Sequence, residues 1–384
     1  MTTASTHSTA YAILTELLIA LTIVNSPSKP IYRRLSFLPI LALVCYQIFC
    51  TTIDINGRLS MTMAVGDWLF ASLVFASHYL LLTDAQRDIW LVKEKHHPPV
   101  EERPILSRLW WAACLLYSPR AIGWSHSAAP TGKLPPRPTQ QTKKSFAIAQ
   151  MWYIVRCIAV CGVVISFARV NPYFDRRADP TQVRGYARLW RLGSVLYPVM
   201  ICLSMSVHYT ALSVVSVWSG MSEPQDWPRL FGSPWGMYTV RRVWGTEWHQ
   251  LFRGVFTVHA EFLAKVLHLP PKSKITTYFK LFIVLTLSAF MHLVGDYAVF
   301  HGWTRSGALH TFILQAVAIV LEDRFLAMAR KAGFKETQFS RCLGYVWVIV
   351  WFSFSLPYWI DPAVPVGSLE DHFPFMPNRE ALTI

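Results

Sequence analysis

The chain has 384 residues, 53% of them hydrophobic and 15% charged, with a formal net charge of +14. Ordinary soluble domains carry about 25% charged residues, so this composition, with its positive mean hydropathy, excludes a soluble globular protein and points to an integral membrane protein. The basic excess does not indicate a nucleic-acid partner, because Lys and Arg sit in loops between apolar runs, as in the cytosolic loops of membrane proteins.

A bilayer core needs about 20 mostly apolar residues per helix. Eight runs qualify, at roughly 9–25, 35–53, 61–83, 145–168, 192–218, 277–300, 308–322 and 343–360. The predicted fold is therefore all-α and polytopic, with about eight transmembrane helices. Two further segments, 104–118 and 250–268, are amphipathic and read as interfacial helices. The first run, "AYAILTELLIALTIV", lacks the basic flank of a cleaved signal peptide and is expected to remain as the first membrane helix.

Loop charge sets an orientation. Lys and Arg concentrate in the loops 26–34, 84–144, 219–276 and 323–342. These fall on one side of an eight-helix arrangement, which the positive-inside rule makes cytosolic, and both termini then face the lumen. The Arg-rich loop 169–191 falls on the opposite side and disagrees. The Pro-rich, basic stretch 127–145 reads as a flexible linker. The expected organisation is an N-terminal transmembrane region with a cytosolic segment (1–126), the linker, central transmembrane helices (146–221), a catalytic region (222–310) and C-terminal helices with a tail (311–384). No internal repeat of the kind found in many transporters is visible.

Most of the seven cysteines lie inside apolar runs and read as small buried hydrophobes. Their odd number and irregular spacing do not form a disulfide framework. Cys157 and Cys161 are one helical turn apart without accompanying His or Cys, so no metal site is expected.

Ionisable side chains inside a span are costly and mark function. His292 sits well inside the 277–300 run, and Ser288, His292 and Asp296 follow at i, i+4 and i+8 on one helix face. Asp296 can hold one ring nitrogen and leave the other as acceptor; the plainer reading is a core histidine bonded to a carbonyl. His208, the other deep histidine, reads as a helix-packing residue. The segment 222–253 begins as a loop broken by Pro224, Pro228 and Pro234. It continues with Trp235, Arg241, Arg242, Trp244, Trp248, His249 and Arg253. A helix over 240–268 would set Trp244 one turn from Trp248 and His249 one turn from Arg253. Its guanidiniums can hold phosphates, or the segment can be an interfacial anchor with Trp belts.

The order "DWPRLFGSPWG…RRVWGTEWHQLFR", followed by "SAFMH", resembles the fungal wax synthase-like proteins of the membrane-bound O-acyltransferase group. Upstream, "YSPRAIGW" (117–124) resembles the "RGIGW"-type element of fungal members. The resemblance implies transfer of an acyl group from acyl-CoA to a hydroxyl without a bound cofactor or metal. It places His292 on the catalytic histidine and His249 on a position where these members commonly carry His. Trp248, His249 or a backbone N–H would stabilise the oxyanion, and Arg241, Arg242 and Arg253 would meet the CoA phosphates. Small fungal members of this kind are often acetyl-CoA-dependent O-acetyltransferases acting on terpenoids or meroterpenoids in secondary metabolism, and the endoplasmic reticulum membrane is the expected location. Val243, Thr246, Glu247 and Ala121 depart from the family's pattern, which bears on acyl length and acceptor class.

Several alternatives belong beside this reading. A long-chain wax ester synthase would take fatty alcohols. A covalent route through Cys202 or Cys157 lacks an adjacent histidine in sequence, and "HLVGD" matches the HxxxD form of soluble acyltransferases by coincidence. A membrane terpene cyclase would need a deep acid, and Glu16 and Asp67 are the only ones outside the His292 neighbourhood, both read as lacking a paired partner. A prenyltransferase would need Asp-rich motifs that do not occur. Composition alone also admits a transporter or receptor.

Overall fold

The computed structural model describes residues 2–26, 29–55, 57–94, 98–126, 135–136, 138–139, 142–174 and 191–363. Much of the 127–145 linker, most of the 169–191 loop and the C-terminal tail after 363 therefore lie outside the described residues. The longer helices, in chain order, are α1 (Thr2–Val24), α2 (Phe37–Cys50), α3 (Leu59–Ser77), α4 (Ile105–Leu116), α5 (Lys143–Val170), α6 (Leu196–Ser219), α7 (Arg253–Val266), α8 (Lys274–Phe300), α9 (Ala308–Lys331) and α10 (Gln338–Ser355). Among the described residues the only β pairing is an isolated bridge between Leu91 and Trp124.

Among the described residues, six helical stretches are long and apolar enough to cross a membrane: Pro30–Cys50, Leu59–Leu82, Lys143–Ala168, Leu192–Ser219, Lys274–Phe300 and Gln338–Ile360. The protein is an all-α polytopic membrane protein. Two other expected spans take a different form. The apolar part of α1 is the shorter stretch Ala10–Val24. The 308–322 run lies within α9, which continues to Lys331 through Glu322, Asp323, Arg324 and Arg330. The two amphipathic segments fold as α4 and α7, each starting and ending one to three residues inside the expected bounds.

Cap chemistry fixes several helix ends. The Thr142 hydroxyl accepts from Ser145 N–H at α5, and Ser273 accepts from Thr276 N–H at α8. Gly220 closes α6 in the left-handed region at φ 83°. Where α1 ends, the Gln86 amide donates to the carbonyls of Ile23 at 2.8 Å and Val24 at 3.1 Å. This satisfies two acceptors that the helix leaves unpaired.

The chain divides into two compact units. The first comprises residues 1–130 and 251–313. Its core gathers Ile19 and Ile23 of α1, Phe75 of α3, Tyr79, Trp111 and Leu115 of α4, Trp124, Phe256 of α7 and Met291 of α8. A second cluster joins Val44 and Ile48 of α2 to Leu69 of α3 and Val294 and Ala298 of α8. The second unit comprises residues 131–250 and 314–384. There α5 packs on α6 around Cys161, Ile165 and Met200. The other face of α5 leaves Trp152, Val155, Val163 and Phe167 exposed, a surface for lipid.

Candidate active site

The first unit builds its polar centre where α3 crosses α8. Gly66 and Gly295 meet at that crossing: a methyl group added to Gly66 would lie 2.8 Å from the Gly295 Cα and 2.9 Å from the Val294 carbonyl oxygen. Small residues on both helices let the backbones approach closely, as in membrane helix pairs generally. The residue after Gly66 is Asp67, and His292 lies one turn before Gly295. Close approach therefore brings carboxylate and imidazole together, with His292 Nδ1 3.1 Å from Asp67 Oδ2. The two side chains retain 19% and 26% of their exposure.

The imidazole is held on its face as well as its edge. Phe312, 2% exposed, stacks on it with ring centroids 5.1 Å apart and planes 18° apart. Asp296, on the same helix as His292, is 4% exposed and accepts from Ser306 Oγ at 2.5 Å. That hydroxyl also accepts from Ala308 N–H at 3.1 Å, so Asp296 supports the turn that enters α9. Ser288 is half-buried on α8, one turn before His292. Asp67, read from sequence as an acid without a partner, is thus the hydrogen-bonded partner of His292. Glu16 also has partners: it accepts from Trp68 Nε1 at 2.8 Å and from Ser72 Oγ at 2.5 Å.

The second unit holds the polar aromatic segment, which does not form the expected continuous helix over 240–268. A turn of α-helix (Val240–Arg242) runs into a π-turn (Val243–Glu247), the chain opens at Trp248, and α7 begins at Arg253. The reason lies in diverted carbonyls. The Glu247 carbonyl accepts from Gly232 N–H at 2.8 Å, and the Gln250 amide donates to the Trp248 carbonyl at 2.6 Å. Both carbonyls thus turn to partners outside a helical ladder. The Glu247 carboxylate, 7% exposed, accepts from Ser233 N–H at 2.8 Å and from Thr246 Oγ1 at 3.1 Å. It ties the loop after Pro228 to the π-turn, and Gly232 and Gly236 leave the room it occupies.

Around this turn, Trp248 stands between Trp244 at 5.7 Å and Phe231 at 5.1 Å, and His249 packs edge-on to Phe231 at 5.7 Å. The expected proximity of Trp244 and Trp248 holds, by way of a π-turn. Arg241 forms a two-point pair with Asp323, its Nε 2.6 Å from Oδ1. Its backbone N–H and that of Val240 both donate to Glu322 at 2.9 Å. Arg242 donates to the Gly236 carbonyl at 2.7 Å and to Glu247 at 3.2 Å, and lies over the Tyr238 ring at 4.8 Å. Both guanidiniums keep about two-fifths of their exposure, 41% and 43%. Arg253 opens α7 in the first unit, where burial lowers its pKa from the usual arginine value.

The structure thus groups His292 with Asp67, Phe312 and Asp296 in the first unit. It groups His249 with Trp248, Arg241 and Arg242 in the second. The contributions of Asp67, Phe312, Glu247 and Glu322 went unassigned in the sequence. The one available signal for Asp67 was the Gly–Asp pair inside a span, set against Gly295 three residues after His292.

The membrane bound O-acyl transferase family model matches residues 227–314, a stretch that contains both His249 and His292. Acetyltransferase ple2 of Rhodocybe pseudopiperita is 33% identical over 361 residues, covering 92% of this chain and 90% of its own length. Acetyltransferase eriL of Hericium erinaceus is 32% identical over 346 residues, 89% and 87% of the two chains. Acetyltransferase ataH of Aspergillus terreus is 39% identical over 161 residues, 41% of this chain and 53% of its own. The chain belongs to the membrane-bound O-acyltransferase family. It is a membrane-embedded enzyme that transfers an acyl group.

Proposed function

We propose that the enzyme transfers acetyl from acetyl-CoA to a hydroxyl of a terpenoid or meroterpenoid alcohol, with His292 as general base. The observation that carries this reading is an imidazole paired with a carboxylate between apolar helices, in a chain whose full-length relatives are named acetyltransferases. The substrate hydroxyl gives its proton to His292 as its oxygen attacks the thioester carbonyl. The tetrahedral intermediate then collapses, the C–S bond breaks, and the imidazolium returns the proton to the CoA sulfur. A positioned base of this kind contributes about 10²–10⁴-fold, and the apolar surroundings favour transfer over hydrolysis.

His249 or Trp248 supplies a donor for the oxyanion. Arg241, Arg242 and Arg253 meet the CoA phosphates, the first two with the exposed edges of guanidiniums already oriented by Asp323, Gly236 and Glu247. The acceptor enters sideways from the bilayer of the endoplasmic reticulum.

Membranes bearing the protein, incubated with acetyl-CoA or longer acyl-CoAs and a panel of terpenoid and fatty alcohols, test the reading. Acetylation of terpenoid alcohols that falls to background in His292→Ala, with the variant still inserting normally, is the expected result. Full activity of that variant sinks the assignment, and preference for long acyl-CoA with fatty alcohols replaces it with wax ester synthesis.

A further inference from the structure

We propose that Asp67 is the positioning residue for His292. It fixes the tautomer with the proton on Nδ1 and turns Nε2 toward the substrate hydroxyl. This inference rests on the reading of His292 as the base.

Three observations converge on it. The first is the 3.1 Å contact between Asp67 Oδ2 and His292 Nδ1, made across 225 residues of sequence. An ionised carboxylate only accepts hydrogen bonds, so the shared proton sits on Nδ1 and the lone pair is left to Nε2. The second is the packing that enforces the contact. Gly66, the neighbour of Asp67, and Gly295, one turn past His292, are the residues at which α3 and α8 touch. Meanwhile Phe312 stacks on the ring and sets its plane. The third is the use of the other nearby acid. Asp296 is bonded to Ser306, whose hydroxyl also serves Ala308 N–H, in the turn that enters α9. Asp67 therefore carries the positioning task.

A carboxylate within a membrane span is costly to insert, and such residues face partners of functional weight. During transfer the substrate O–H proton moves to Nε2 while the new C–O bond forms. The Asp67 charge stabilises the imidazolium without taking the proton itself, and the proton leaves Nε2 for the departing sulfur. Asp67 does not touch the substrate.

The test compares Asp67→Asn, Asp67→Glu and His292→Ala in the full-length protein in membranes. Asn can present its NH₂ group to Nδ1 and select the wrong tautomer. In a serine-protease triad the same exchange lowers turnover by about 10⁴-fold. The expected result is a kcat loss of about 10²–10⁴-fold in Asp67→Asn, with the KM for acetyl-CoA within about twofold. Asp67→Glu, which keeps the charge one methylene further out, is expected to recover at least tenfold of the Asn loss. A near-normal kcat in Asp67→Asn overturns the proposal. So does a raised KM at unchanged kcat, or equal losses in the Asn and Glu variants. If Asp67→Asn does not insert, the Glu variant decides: its kcat falls at constant KM, or the proposal fails. An active His292→Ala removes the base reading itself. An inactive His292→Ala beside an active Asp67→Asn removes only the role of Asp67.

Discussion

A single methyl group at the α3–α8 crossing tests the site and the fold together. In Gly66→Ala the new carbon would stand 2.8 Å from the Gly295 Cα, 2.9 Å from the Val294 oxygen and 3.2 Å from the Ala298 Cβ. Non-bonded carbons settle at about 3.5–4.0 Å, so the helices must part by about 1 Å at this level. Two of the three obstructing atoms are backbone, which a rotamer change cannot move aside. Moving α3 by that amount stretches the Asp67–His292 contact from 3.1 Å to about 4 Å, beyond hydrogen-bond range. Overpacking of this kind costs about 1–3 kcal/mol, and misplacing a catalytic group by about 1 Å costs about 10²-fold in rate. Initial rates at saturating acetyl-CoA, with thermal unfolding followed in detergent, should show both losses. Gly162→Ala is the control: it lies in α5 with nothing within 4 Å of the added carbon, and should leave both quantities intact. Gly66→Ala with normal turnover and an unchanged melting temperature would refute the claim that the glycine contact assembles the site.

Other outcomes follow from the described geometry. His249→Ala should lower kcat about 10²–10³-fold, the loss typical of an oxyanion donor; an unchanged rate assigns it to packing against Phe231. Arg242→Glu should raise the KM for acetyl-CoA more than that for the alcohol, which kinetics with each substrate varied in turn would show. Glu247→Gln weakens the hold on Ser233 N–H and Arg242, and should cost about 1.5–3 kcal/mol of stability as charged hydrogen bonds are lost. His126 packs edge-on to the core rings of Tyr79 and Trp124, and burial there pushes its pKa down from about 6.5 to about 4. Its neutral form therefore stabilises the fold fully above about pH 6.5, and this contribution drains away as pH falls toward 4. The slope is about 1.4 kcal/mol per pH unit and the total about 3 kcal/mol. Unfolding measured between pH 7 and 4 should lose that part of its slope in His126→Phe.

The six longest spans were legible because a run of about 20 apolar residues has few other uses. The ends of the series were harder to read. The apolar part of α1 is only Ala10–Val24, and α9 carries five charged residues past its apolar start, so run length alone did not describe them. His292 was legible as an imidazole within a span. Asp67 was visible as an acid, but its partner lies 225 residues away, and no local periodicity carries that information. The family match over 227–314 contains His292 and leaves Asp67 outside. The break after Glu247 was hidden for a related reason. Local spacing favoured one helix over 240–268, while the bonds that interrupt it come from Gly232 and from the Gln250 side chain.

The separation of Asp67 and His292 along the chain is also a separation in time. At about 5–20 residues per second, the ribosome needs about 11–45 s to travel from one to the other. During that interval α3 is already made, with a carboxylate whose histidine does not yet exist. Its early neighbours are α1 and α2, and Val44 and Ile48 of α2 offer Leu69 an apolar surface from the start. Docking of α8 then gives the acid its hydrogen-bond donor and completes the catalytic pair in one event. The nascent enzyme gains its chemistry at the moment α3 gains the partner of its acid, so chains terminated before residue 292 would be inactive and would keep that acid without its histidine.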